Sequence, residues 1–143
     1  MSHLAAIDPG RSKCGLVLVD PEAARVLAAG ILPPERCREL LLQWCQQHPL
    51  QGVLLGDGTG SQPWQTWLAE QQLAPLLMPE AGTTLAARER YWQLQPPRGW
   101  RRLLPRGLRL PPRDVDDVVA QILVEHHLGK LLTRPWDLKW LER

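Results

Sequence analysis

The chain has 143 residues, 44% of them hydrophobic and 22% charged, and a net charge of +2. That length suits one domain with one core, and the composition is that of a globular protein rather than a disordered or fibrous one. The net charge is too small to imply a polyanionic partner by itself, and no apolar run is long enough to span a bilayer.

The chain enters a strand-like run at residues 3–7, which leaves no room for a signal peptide. Residues 15–19 read as a second strand, ended by Asp20-Pro21, and residues 26–32 as a third, giving an antiparallel meander. Between the first two strands lies the turn Asp8-Pro9-Gly10. Pro33-Pro34-Glu35 opens a helix, because proline suits the first turn and a glutamate there complements the dipole. Cys37, Leu40, Leu41, Trp44 and Cys45 recur along it at helical spacing until His48-Pro49 ends it. The third cysteine is Cys14, and no C-x-x-C pair is present. Cys37 and Cys45, eight positions apart on one helix, are too distant for a disulfide. Reduced thiols in a cytoplasmic protein are the expectation.

Residues 52–56 form a short apolar run between glycines, which predicts a buried parallel strand. The polar loop Asp57-Gly58-Thr59-Gly60-Ser61 follows it. It could cradle a phosphate but lacks the lysine of a P-loop. Residues 65–72 read as a helix with Trp64, Trp67 and Leu68 as its apolar face, and residues 75–78 as another buried strand leading to Pro79-Glu80. Residues 84–94 look helical. Residues 96–113 are irregular, rich in proline and arginine, and carry Trp100. Residues 114–132 give the clearest helix, with Val115, Val118, Val119, Ile122 and Leu123 on its apolar face. Residues 135–143, with Trp136 and Trp140, are left as a tail. With no phenylalanine, tryptophan is expected to supply most of the aromatic core, Trp100 included. The order predicts an α/β fold over residues 1–143: a mixed five-stranded sheet, meander plus parallel strands, flanked by helices.

Acidic residues fall at three structural places. Asp8 ends the first strand, Glu80 ends the last, and Asp114, Asp116 and Asp117 open the final helix. Strand ends of one sheet can bring such residues together beyond the carboxyl ends of parallel strands. Converging carboxylates repel, and a divalent cation with a taste for hard oxygen, Mg²⁺ or Mn²⁺, resolves that repulsion. Each position also has a plainer reading. Asp8 suits a turn in which its side chain bonds its own backbone. Glu80 suits a solvated loop. Asp114 with Asp117 suits a capping box.

Taken jointly, the motifs carry a resemblance. Asp8-Pro9-Gly10-Arg11-Ser12-Lys13-Cys14-Gly15, leading into the second strand, resembles the opening hairpin of the RuvC/YqgF-type Holliday junction resolvase-like family of the RNase H-like superfamily. Val53-Leu54-Leu55-Gly56-Asp57-Gly58 resembles that family's strand and glycine loop, and Met78-Pro79-Glu80-Ala81-Gly82-Thr83-Thr84 its Glu-x-x-Thr/Ser segment. Val115-Asp116-Asp117-Val118-Val119-Ala120 is similar to its last motif, an aspartate leading an apolar helix. The resemblance spans residues 3–128. Pro79 departs from it where an acidic residue is usual, and the final motif has two registers. One favours Asp116; the other pairs Asp117 with Asp114, which share a helix face.

The resemblance implies an RNase H-like fold and a metal-dependent endonuclease of structured nucleic acid, either branched DNA or a ribosomal RNA precursor. Asp8, Glu80 and Asp114, Asp116 or Asp117 would be catalytic, with Asp8, Glu80, Asp117 and Asp114 holding Mg²⁺ or Mn²⁺. Lys13, Thr84 and Arg88 would meet phosphates. So would Arg98, Arg101, Arg102 and Arg106 of the basic loop, where six arginines stand with no acidic residue between positions 98 and 113. A homodimer would suit two symmetric cuts. Two other readings compete: a non-catalytic nucleic-acid-binding protein that kept the fold, and a nucleotide binder related to actin-like ATPases, for whose two-domain clamp the chain is too short.

Overall fold

The computed structural model describes residues 2–47 and 49–142. Six strands build one sheet: β1 (His3–Asp8), β2 (Cys14–Asp20), β3 (Arg25–Leu32), β4 (Leu50–Gly56), β5 (Pro75–Met78) and β6 (Lys139–Leu141). Their order is β5-β4-β1-β2-β3-β6. β1, β2 and β3 form the antiparallel meander. β4 lies parallel to β1 and β5 parallel to β4, so three parallel strands end on the same side. The sixth strand is a correction to the expected five. The tail does not merely pack. Thr133 bonds Ala24 and Val26 through its backbone, and residues 139–141 then pair in parallel with β3.

Period-two alternation sends side chains to both faces of the sheet. On one face Ala5, Ile7, Leu16 and Leu18 meet α1 (Pro34–Gln47) and α2 (Ser61–Glu70) through Leu40, Leu41, Trp44, Trp64 and Leu68. On the other face Leu4, Ala6, Val17 and Ala29 meet α4 (Asp116–Leu128) through Ala120 and Val124. A third layer, α3 (Thr83–Leu94), covers the outside of α4 with Ala87 and Tyr91 against Val118, Val119 and Ile122. α4 is therefore buried on two sides, between sheet and helix, which explains its nearly continuous apolar sequence. Among the described residues no helix is long and apolar enough to cross a membrane.

Two further expectations change, and a third lies outside the described residues. α2 begins at Ser61, inside the stretch read as a polar loop. The expected end of α1 near His48 lies outside the described residues, and the helix runs to Gln47. β5 is an edge strand rather than a buried one, with Leu76 and Leu77 47% and 44% exposed. Its apolar sequence looks like a core strand only because apolar runs do not distinguish edge from centre. The tryptophans also divide. Trp44 and Trp64 are core, but Trp100, Trp136 and Trp140 are exposed.

Leu55→Ala on β4, where the side chain is fully buried, should lower unfolding free energy by about 2–5 kcal/mol. Leu76→Ala on β5 should change it by about 0.5 kcal/mol or less. Urea titrations of the two variants check the edge position directly.

Candidate active site

The first carboxylate stands at the end of β1. Asp8 pairs with Gly15 across the hairpin, and the turn between them is closed by Cys14, whose sulfur bonds the backbone of Gly10. Gly10 is required sterically, since a Cβ there would strike the Lys13 carbonyl. The side chain of Asp20 does what a turn aspartate ordinarily does, accepting from the backbone N–H groups of Glu22 and Ala23 at 3.1 Å each. The Asp8 carboxyl instead meets that of Glu80.

Glu80 lies two residues beyond β5 and is held at both ends. Its N–H donates to Asp57 Oδ1 at 3.0 Å, and its carbonyl accepts from the Thr83 N–H at 2.9 Å and the Thr83 hydroxyl at 2.6 Å. Asp57 thus ties the loop after β4 to the segment after β5. The Glu80 side chain lies over Gly56 and Gly58, where any Cβ would collide with its carboxylate. Its Oε1 is buried with no hydrogen-bond donor.

The third carboxylate is Asp116, the first residue of α4. The helix starts directly on the sheet: a Cβ on Gly15 would overlap the Asp116 carbonyl. The Asp116 carboxylate lies 3.8 Å from Lys13 Nζ, which also contacts Asp114. Asp114 is exposed and precedes the helix, and Val115 is the N-cap, so no Asp114 capping box forms. Asp117 points elsewhere. It is fully buried and bonded by Arg113 at 2.8 and 3.3 Å and by Arg134 at 2.9 Å. The pairing of Asp114 with Asp117 in one cluster is therefore corrected. Neighbouring helical residues point about 100° apart, so turning Asp116 toward Asp8 turns Asp117 toward the arginines.

The resulting charge balance is unfavourable. Burial, the hydrogen bond that protonated Asp8 donates to Glu80, the Glu80 charge and then the Asp116 charge push the Asp8 carboxyl up to about 9. Burial also raises Asp116, and Lys13 opposes that rise. Two carboxylates accept only, so Asp8 and Glu80 can bond only through a shared proton. In this geometry no group of three or more His, Cys, Asp or Glu among the described residues is closed around a metal position. The donors themselves fit a hard divalent cation: all are oxygens, Glu80 Oε1 is buried without a donor, and the neighbouring acids raise Asp8 beyond what burial does. Asp8 and Glu80 would hold such an ion, with Asp116 beside them.

The other candidate residues are spread more widely. Thr84 and Arg88 are exposed on α3, where the buried Thr83 supplies the hydroxyl that binds Glu80. Arg98, Arg102 and Arg106 are exposed and Arg101 half-buried in the 96–113 segment. That segment is ordered into two short 3-10 turns, stapled by the Arg109 guanidinium to the carbonyls of Arg101, Arg102 and Leu104. Trp100 is 63% exposed, with Arg101 4.9 Å above its ring, rather than packed on the body. His126 and His127 are exposed in the last turn of α4. The buried Cys14 thiol accepts a bond from Cys37, which lowers it to about 7 against the effect of burial.

A mixed sheet of this order, with a helix carrying an acidic residue onto the end of its central strand, is an RNase H-like fold. A solved structure similar to it is that of T. thermophilus RuvC in complex with Holliday junction substrate, with a TM-score of 0.52 and 16% identity over 90% of this chain and 94% of that one. By sequence, no protein-family model and no curated protein matches.

Two predictions follow from the carboxylates. The folded metal-free protein keeps Asp8 protonated up to about pH 9, whereas the unfolded chain releases that proton near 3.8. The native state binds more protons across this window, so metal-free stability should fall as pH rises through it. Asp8→Asn should flatten that fall, and the stabilisation by Mg²⁺, which needs the ionised form, should grow with pH. Urea unfolding across pH, with and without Mg²⁺, measures both. Gly56→Ala should displace the Glu80 carboxylate, a flexible end, while the sheet stays intact. Its circular dichroism should match that of the original, and its Mg²⁺-induced rise in Tm should be lost.

Proposed function

We propose that this protein is a metal-dependent endonuclease of structured nucleic acid, with branched DNA of the Holliday junction type or a ribosomal RNA precursor as substrate. The observation that carries the proposal is the meeting of Asp8 and Glu80 beside Asp116 at the ends of the parallel strands, where burial and mutual charge hold Asp8 neutral. A purely structural site would relieve that repulsion with an arginine, as this protein does at Asp117. Leaving it unrelieved suits a site completed by a cation.

Asp8 and Glu80 would bind the ion from rigid strand ends, and Asp116 would approach from the helix. Asp57 and Thr83 act through Glu80, by fixing its backbone. A divalent cation bound there would supply water activation and charge stabilisation at the leaving oxygen. Water oxygen joins phosphorus, the ester P–O bond breaks, and the leaving oxygen takes a proton. Lys13, free to exchange Asp114 and Asp116 for a phosphate, would orient the strand. The similarity to RuvC, solved with a Holliday junction substrate, supports the DNA form of the reading. Two symmetric cuts would call for a homodimer.

One observation favours a second reading. Lys13 already contacts Asp114 and lies 3.8 Å from Asp116, and a protein that binds nucleic acid without cutting it would retain that pairing. Incubation of four-way junctions and precursor ribosomal RNA with the protein and Mg²⁺ or Mn²⁺ separates the two. The nuclease should cleave at least one substrate, and Asp8→Asn should slow cleavage by about 100-fold or more, beyond the ~10–100-fold that a supporting partner is worth. Binding without cleavage, and no stabilisation by either metal, would favour the non-catalytic reading.

A further inference from the structure

The side of α4 to which Asp117 points carries a feature that the carboxylate site does not use. A hollow of about 530 Å³ opens there, between the end of α3 and the tail, with Tyr91, Arg113, Arg134, Trp136 and Trp140 in its wall. A second hollow, of about 340 Å³, shares Tyr91, Leu94 and Gln95 with it and adds Trp92, Arg98 and Arg101. The shared wall makes them one groove. Among the described residues four arginines line it and no lining residue is acidic. The carboxylate beneath is Asp117, fully buried and shared by Arg113 and Arg134, so two positive charges face one negative.

The aromatic groups are placed unusually for a water-facing surface. The Arg113 guanidinium lies 5.2 Å from the ring centre of Tyr91 and 5.1 Å from that of Trp140. Trp136, at the rim, is 97% exposed. A ring held so fully in water contributes nothing to the core, and its faces are open to a flat partner. Flat π faces beside fixed positive charge recognise a ligand that is itself flat and carries negative charge at short intervals. That is the chemistry of an unpaired nucleic-acid strand: bases stack on aromatic rings whatever their identity, and phosphates follow a basic groove. Paired bases offer their edges, not their faces, and would leave Trp136 unused.

We propose that this groove binds a single-stranded segment of nucleic acid, with bases stacked on Trp136 and Trp140 and phosphates on Arg98 and Arg101. Arg113 of the groove wall stands one residue from Asp114 and three from Asp116 along the chain, so the unpaired segment would lie near the start of α4. The proposal deepens the nuclease reading and rests on it for the substrate class: the structured nucleic acid would need an unpaired arm or opened branch point.

The test uses the full chain without divalent metal, titrated with short oligo(dT), oligo(U) and a blunt duplex, and reads tryptophan emission and fluorescence anisotropy. Single strands should quench the emission and bind more tightly than the duplex. The ratio of oligo(dT) to oligo(U) affinity tells a DNA strand from an RNA strand. Trp136→Ala, at a side chain too exposed to affect folding, should weaken single-strand binding roughly tenfold, the scale of one lost base stack. The double change Arg98→Ser, Arg101→Ser should lower the dependence of affinity on salt. Unchanged single-strand affinity in the Trp136 variant, equal affinity for duplex and single strand, or no oligonucleotide binding would each overturn the groove. Failure of the nuclease reading looks different: single strands bind in a Trp136-dependent way, yet no substrate is cut with Mg²⁺ or Mn²⁺. Mg²⁺-dependent cleavage that Asp8→Asn abolishes, with single-strand affinity unaffected by Trp136→Ala, sinks the groove alone.

Discussion

The contact on which the rest depends is that of α4 with the sheet at Gly15. The Asp116 carbonyl lies where a Cβ at that position would be. This approach lets the last helix reach the end of the first strand, and it sets Asp116 beside Asp8 across a chain separation of more than a hundred residues. Gly56 and Gly58 do the same for Glu80. Three glycines, none in a positive-φ conformation, remove the side chains that would otherwise hold the carboxylates apart. The site is built as much from missing Cβ atoms as from the acids themselves.

The rotation of α4 is the second constraint. Asp117, Gln121 and Glu125 form a buried polar stripe along one side of an otherwise apolar helix. Arg113 and Arg134 bind Asp117, Arg134 also donates to Gln121 at 2.6 Å, and Gln121 donates to Glu125. Arg90 of α3 forks onto Glu125 at 3.0–3.2 Å, which also accepts from the Leu132 N–H. Removing one member of such a buried pair typically costs about 3–5 kcal/mol, because its partner is left charged and dry. The network therefore locks α4 in one rotation, with Asp117 toward the arginines and Asp116 toward the cleft. Electrostatic relief on one side of the helix and electrostatic strain on the other are consequences of a single orientation.

Several of these features were legible in the sequence. The meander, the parallel strands and the helices follow from apolar periodicity, and Asp8 at the end of β1 follows from Asp-Pro-Gly after an apolar run. The stripe at 117, 121 and 125 was also there to be read, as three polar residues at four-residue spacing inside an apolar helix. Periodicity tallies of apolar positions pass over such a stripe. Thr83 and Asp57 were hidden for a different reason. Their roles consist of hydrogen bonds to Glu80 from a neighbouring turn and from the loop of another strand, and no spacing rule encodes those.

The amino-acid sequence by itself determined the kind of sheet, the covering helices and the presence of acids at strand ends, because local periodicity and turn chemistry act within a few residues. Tertiary structure decided which acids meet. Spacing put Asp114 and Asp117 on one helix face, yet Asp114 is exposed, Asp117 is neutralised by Arg113 and Arg134, and Asp116 faces Asp8. The tertiary structure also decided that β5 is an edge, that the tail supplies β6, and that three tryptophans stay in water. The reason is common to all of them: burial and charge pairing depend on what approaches from distant parts of the chain, and that is settled only when α4, the tail and the sheet close on one another.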